Sequence, residues 1–247
     1  MTSPILAVQS LGIQFGGLKA VDDVSFEAER NRITTVIGPN GAGKSTLFNL
    51  ISGALRPKSG TVTFDGQVCT GATPHHMRAL GLGRSFQITS LFPELTVAEN
   101  LRIAAEVLEP LGRWFLPVSR SRLALERGEA QLARFLRNAN AGEQARAHTQ
   151  GQQRPKVVGL ALAAEPKLLL LDEPTQGMSH GDTENTAQMI QRLGREVSVL
   201  LIEHDIGLVM TISDHVVVMA QGQKLAEGTP QAVRANPAVQ AAYFGHA

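Results

Sequence analysis

The sequence predicts an α/β fold: a mostly parallel sheet flanked by helices, an antiparallel β layer near the N-terminus, and an inserted helical subdomain. Three observations carry this. Short apolar or β-branched runs recur at residues 33–37, 168–171, 197–202 and 216–219, as in strands buried on both faces. Helical stretches accompany the later runs, at about residues 181–193 and 206–212. Between about residues 92 and 164 the strand signal gives way to helix formers, as at residues 121–137 with Leu123, Leu125, Leu132, Phe135 and Leu136.

In chain order, residues 5–8, 21–26 and 61–64 read as shorter strands separated by turns, which would form the antiparallel layer. The run Ile33, Thr34, Thr35, Val36, Ile37 feeds directly into a glycine-rich turn. A helix follows, with Leu47, Leu50, Ile51 and Leu55 at helical spacing and break signals at Gly53, Pro57 and Gly60. Residues 111–119, with Trp114 and Pro117, read as a loop. Val233, Ala238, Val239, Ala242 and Tyr243 place an apolar face on one short C-terminal helix that packs on the core. The expected layout is a single domain. Its core comprises about 1–91 and 158–230, with a helical subdomain at about 92–157 and a C-terminal helix at about 231–247.

A chain of 247 residues with 43% hydrophobic and 18% charged residues is ordinary for one large globular unit. A formal charge of +1 argues against a protein that coats nucleic acid, so no nucleic-acid partner is expected. Cys69 stands alone, which excludes an intramolecular disulfide and a multi-cysteine metal site and suits a reducing compartment. The first residues lack a basic stretch followed by an apolar one, so a secretory signal is not expected. The most apolar region, residues 160–171, is interrupted by Glu165, Pro166 and Lys167 and falls short of the ~20 residues that cross a bilayer. A membrane role would have to run through partners.

Chemistry concentrates in two places. Gly38, Pro39, Asn40, Gly41, Ala42, Gly43, Lys44, Ser45 and Thr46 match the phosphate-binding pattern G-x-x-x-x-G-K-[ST] between a strand and a helix. Glycines let backbone amides close on phosphates, the helix adds its positive end, and Lys44 supplies a point charge to the β and γ phosphates. Ser45 is then placed to ligate magnesium. The second place is Leu168-Leu169-Leu170-Leu171-Asp172-Glu173, a buried strand ending in paired carboxylates. Asp172 suits a magnesium ligand and Glu173 a group that polarises water.

With both motifs in order, the chain resembles an ATP-binding-cassette ATPase over essentially its whole length. That resemblance implies ATP and Mg2+ as ligands and gives roles to further residues. Gln87 in Gly83-Arg84-Ser85-Phe86-Gln87 resembles the glutamine that meets magnesium and the attacking water. His204 in Leu200-Leu201-Ile202-Glu203-His204-Asp205 resembles the switch histidine that contacts the γ-phosphate. Residues 175–179 occupy the segment called the D-loop, and Phe15 sits where an aromatic ring would stack on adenine. Catalysis is thus expected from Glu173, His204 and Lys44, and magnesium binding from Ser45, Gln87 and Asp172.

The wording of Phe15-Gly16-Gly17-Leu18-Lys19-Ala20-Val21, Arg84-Ser85-Phe86-Gln87, Ile202-Glu203-His204-Asp205 and Gly228-Thr229-Pro230 is similar to ATPases of branched-chain amino-acid importers and their urea-transporting relatives. This implies a second ATPase subunit, identical or different, and two membrane permeases. It also implies a periplasmic solute-binding protein acting indirectly, and a peripheral position on the cytoplasmic face of the inner membrane. Two other readings stay open: the ATPase of a lipid or lipopolysaccharide exporter, and a soluble cassette acting on nucleic acid or ribosomes. The latter usually has two cassettes or a long coiled-coil insertion.

The signature segment, usually L-S-G-G-Q, aligns with His148-Thr149-Gln150-Gly151-Gln152-Gln153-Arg154. Thr149 keeps a hydroxyl, Gly151 keeps close backbone approach, and with Gln152 they are expected to meet the nucleotide held by the partner ATPase. His148 replaces an apolar residue. Pro155 would remove a helical hydrogen bond at a cost of about 3 kcal/mol, and Gly159 weakens the same helix. Hydrolysis is therefore expected to be slower than in a typical relative, or to depend on the partner's signature. Replacing Pro155 and His148 with the family's usual residues should raise ATP turnover of the assembled complex, and unchanged turnover refutes the idea.

Overall fold

The computed structural model describes residues 3–85, 94–96, 99–100, 103, 162 and 165–244. The expected helical subdomain, with residues 121–137 and the 111–119 loop, otherwise lies outside the described residues. At its start Thr96 and Glu99 form a reciprocal cap: the Thr96 amide donates to Glu99 Oε2 at 2.7 Å and the Glu99 amide to Thr96 Oγ1 at 3.2 Å.

The described elements begin with β1 (Leu6–Phe15), β2 (Leu18–Ala28), β3 (Ile33–Ile37), α1 (Lys44–Ile51), β4 (Ser59–Phe64), β5 (Gln67–Val68), α2 (Pro74–Leu80) and β6 (Leu82–Ser85). They continue with β7 (Leu168–Asp172), α3 (His180–Gly194), β8 (Ser198–Ile202), α4 (Ile206–Ile212), β9 (His215–Ala220), β10 (Gln223–Gly228), α5 (Pro230–Ala235) and α6 (Pro237–Phe244). Five of the described helices start on a side chain that accepts an otherwise orphaned amide: Thr73, Ser179, Asp205, Thr229 and Asn236. The first helix does not, and its start is the phosphate loop.

Two sheets form. β2-β1-β4-β5 is the antiparallel layer that the sequence predicts. The other runs β10-β9-β3-β8-β7-β6 and is parallel throughout except for β10, which pairs antiparallel with β9. Its central strands are buried on both faces, which explains their continuous apolar runs. Val36, Leu168, Leu170, Leu200, Ile202, Val217 and Met219 face α1 and the antiparallel layer in one core cluster. Ile33, Leu169, Leu171, Val199 and Leu201 face α3 and α4 in another.

β3 is the pivot. The chain leaves it through α1, and its two neighbours, β8 and β9, carry the chain in the same direction on opposite sides. Such a switch point opens a crevice beyond the carboxyl ends of the strands.

Some boundaries differ from the sequence reading. β1 and β2 are longer than residues 5–8 and 21–26, because they pair along nearly their whole length through register shifts that absorb polar residues. α1 ends at Ile51, before Leu55, as Ser52 caps it and Gly53 turns at φ 77°. The single C-terminal helix is two: Pro237 cannot continue α5 and starts α6 instead. Val233 and Val239 are buried, whereas Ala238 and Ala242 are exposed. Among the described residues no helix is long and apolar enough to cross a membrane.

Leu200 is fully buried in the middle of β8, between the strands that carry the phosphate loop and the paired acids. Leu200→Ala should cost about 2–5 kcal/mol of stability, read as a lower denaturant midpoint in equilibrium unfolding.

Candidate functional site

The strand register assembles the site. Ile202 of β8 pairs with Val36 of β3 on one side and with Asp172 of β7 on the other. Three strand ends are therefore level. The loop after β3, the acids ending β7 and the Glu203-His204 pair after β8 emerge on one edge. β6 runs parallel to β7 toward the same edge, with Ser85 opposite Leu171.

The loop is shaped to receive an anion. Gly43 is the N-cap of α1 with φ 98°, no side chain caps that end, and no acid stands in the first turn. The positive end of the helix is thus left open to a ligand. Two glycines are demanded by close approach: a Cβ at Gly38 would lie 2.2 Å from the Met219 carbonyl oxygen, and one at Gly43 2.2 Å from that of Ala20. Pro39, Asn40, Gly41 and Ser45 are exposed along the rim, while Ala42 is buried.

Lys44 is buried at the loop's centre, where its ammonium donates to Gly38 O at 2.7 Å and Pro39 O at 3.0 Å. Burial holds its pKa below the ordinary lysine range, and Glu173 and then Asp172 pull it partly back. A phosphate oxygen can replace these neutral carbonyl acceptors with an anionic one.

Asp172 is buried at the end of β7. Burial raises its pKa; Arg84 opposes this, Glu173 adds to it, and Lys44 also opposes it. Arg84 on β6 stands with Nη2 3.9 Å from Asp172 Oδ2 and donates from Nη1 to Ser52 Oγ, at the end of α1, at 2.7 Å. Arg84 was not among the predicted site residues, and its proximity to Asp172 depends on β6 pairing beside β7.

Glu173 adopts φ 48°, the left-handed region that a non-glycine residue seldom occupies. Its amide donates to Ile202 O at 3.0 Å, which ties the turn to the neighbouring strand. Its Oε1 lies 4.0 Å from His204 Nδ1. His204 is about half exposed and directly precedes Asp205, whose side chain caps α4 by accepting from the Leu208 amide at 3.1 Å. Lys44, Asp172, Glu173 and His204 are thereby gathered at one edge.

Phe15 is 49% exposed at the end of β1, opposite Leu18. The hairpin it belongs to reaches the loop where the Ala20 carbonyl abuts Gly43. Gln87, Thr149, Gly151 and Gln152, together with His148 and Pro155, lie outside the described residues. Tyr243 on α6 packs against the cluster containing Ile37, and burial pushes its phenol up to about 12, with the nearby Gly38 backbone as a lesser, opposing influence.

Among the described residues no group of three or more His, Cys, Asp or Glu gathers as a self-sufficient metal site. The donors present, the Ser45 hydroxyl and the Asp172 carboxylate, are hard oxygens. They fit Mg2+, which takes one or two protein ligands and completes its shell with water and phosphate.

The family profile described as ABC transporter matches residues 21–176, and that of the branched-chain amino acid ATP-binding cassette transporter matches residues 223–247. The chain is 40% identical to the high-affinity branched-chain amino acid transport ATP-binding protein BraF of Pseudomonas aeruginosa, covering 100% of both chains. It is 38% identical to LivG of Escherichia coli, again over 100% of both. Its identity to the probable LivG of Archaeoglobus fulgidus is 35%, over 98% of this chain and 95% of the relative. Among solved structures it is similar to a nucleotide-free ATP-binding cassette from an ABC transporter, with TM-score 0.87 and 30% identity over 99% of this chain and 100% of that one. A cassette in its ADP conformation gives TM-score 0.86 and 31% identity, with the same coverage.

A methyl group at position 43 would meet both the left-handed backbone and the Ala20 carbonyl. Gly43→Ala should weaken binding of a fluorescent ATP analogue about 100-fold, read by titration, with the far-ultraviolet circular dichroism unchanged.

Proposed function

The chain belongs to the ABC transporter family of ATPases, and on that premise we propose that it is the ATP-binding, ATP-hydrolysing subunit of an importer for branched-chain amino acids or a related small solute such as urea. The observation that carries the hydrolytic reading is the common strand edge where Lys44, Asp172, Glu173 and His204 meet, with Glu173 and His204 4.0 Å apart. The substrate class is supported by the branched-chain amino acid transport role of the relatives and by the C-terminal profile at residues 223–247. Both favour import over lipid export or a soluble cassette.

The triphosphate lies along the amides of residues 38–46, with Phe15 stacking on adenine. Lys44 turns from the Gly38 and Pro39 carbonyls to the β and γ phosphates. Glu173 orients a water and accepts its proton, while His204 and Lys44 stabilise charge that develops on the γ-phosphate. Ser45, Asp172 and Gln87 would hold Mg2+, which when bound supplies charge neutralisation to the phosphates. Arg84 keeps the Asp172 carboxylate in place beside α1.

Two such subunits, identical or different, sandwich two nucleotides. Thr149, Gly151 and Gln152 of one subunit reach the γ-phosphate held by the other. Residues at about 92–157 form the helical subdomain that carries them. The pair sits on the cytoplasmic face of the inner membrane beneath two permeases, and a periplasmic solute-binding protein delivers the solute.

Glu173→Gln keeps the shape of the side chain and removes the proton acceptor. Phosphate release from ATP should fall at least about 100-fold while ATP still binds and remains trapped. A variant that hydrolyses ATP at the wild-type rate overturns the assignment.

A further inference from the structure

Glu203 is fully buried, and none of the chemistry above uses its side chain. Its carboxylate receives converging donors from two loops. Oε1 accepts from the Thr175 amide at 3.2 Å and from Thr175 Oγ1 at 2.6 Å, and Oε2 accepts from the His204 amide at 3.2 Å. Among the described residues, the ionisable group paired with it is His204, whose Nδ1 lies 3.9 Å from Oε2. A buried carboxylate is tolerated only when hydrogen bonds replace its lost water. If either loop shifts relative to the other, a donor leaves this charge.

Thr175 follows Glu173 by two residues, and the Glu173 amide donates to Ile202 O, just before Glu203. The turn after β7 and the turn after β8 are therefore fastened in both directions. We propose that Glu203 is a positioning residue that locks the Thr175 segment to the His204 backbone and so sets the separation of the Glu173 carboxylate from the His204 imidazole. This rests on the catalytic reading of Glu173 and His204 given above. It adds a coupling between them that neither side chain makes alone, because a displacement of one loop is transmitted to the other through a shared buried acceptor.

The test is ATP hydrolysis by the full-length chain under multiple- and single-turnover conditions. Glu203→Gln preserves size, but an amide whose oxygen stays on Thr175 turns an N–H toward the His204 N–H. Its kcat should fall about 10–100-fold, with KM for ATP within about twofold, since the loop at residues 38–46 is untouched. Thr175→Val, which loses only the hydroxyl donor, should move kcat in the same direction, and Thr175→Ser should restore it. In a His204→Ala background, Glu203→Gln should add less than about a twofold further loss in the single-turnover rate. An unchanged kcat in both Glu203→Gln and Thr175→Val, or an undiminished further loss in the His204→Ala background, overturns the proposal. If His204→Ala alone hydrolyses at the wild-type rate, the catalytic reading of His204 fails. If His204→Ala is impaired while Glu203→Gln and Thr175→Val are not, only the positioning role fails.

Discussion

The functional edge depends on one constraint, the parallel register in which Ile202 pairs with both Val36 and Asp172. Side chains alternate along a strand, so a slip of one residue in β7 or β8 would turn its buried face toward the wrong layer. Because β7 and β8 are packed on both faces, by α1 with the antiparallel layer and by α3 with α4, either slip is opposed across the whole core. The stability of the hydrophobic sandwich is thus what fixes the positions of Lys44, Asp172, Glu173 and His204 relative to one another.

Electrostatics at that edge is arranged around opposing demands. Burial disfavours charge on both Lys44 and Asp172, and each is offset by neighbours of opposite sign. At Asp172 the effect of burial is opposed first by Arg84 and last by Lys44. The Lys44 ammonium rests on two backbone carbonyls, Gly38 O and Pro39 O, neither of which carries the negative charge a phosphate would offer. The start of α1 belongs to the same logic: capped helices such as α2 and α3 satisfy a first amide with a side chain, while Gly43 supplies none and the helix end keeps its attraction for an anion.

Much of this was legible in the residues because local pattern and tertiary role coincide. Residues 33–37 and 206–212 have the bounds the sequence suggests, the first because five consecutive buried residues need two covered faces, the second because Asp205 caps a helix. β6 and β10 were not legible as strands. Leu82-Gly83-Arg84-Ser85 has no periodicity and becomes a strand only by pairing with β7. Gln223–Gly228 alternates in exposure as an edge strand, with Lys224 and Glu227 masking the apolar signal. The phosphate loop announces itself because its glycines and lysine are contiguous, whereas Arg84 and Glu203 act through partners distant in sequence. Glu203 reaches Thr175 across 28 positions, and no spacing rule connects them.

The C-terminal helices show how a segment can be read for packing and still bear on the site. Val233 and Val239 join Ile37, Val209, Val216 and Val218 in a third cluster behind β3 and β9, and Tyr243 packs against it. Ile37 is the last residue of β3, so this cluster fixes the strand at the point where it becomes the phosphate loop. Gly38, the next residue, lies so close to the Met219 carbonyl on β9 that a Cβ there would stand 2.2 Å from it. The first turn of the loop therefore abuts the backbone of β9, an approach that only a residue without a side chain can make.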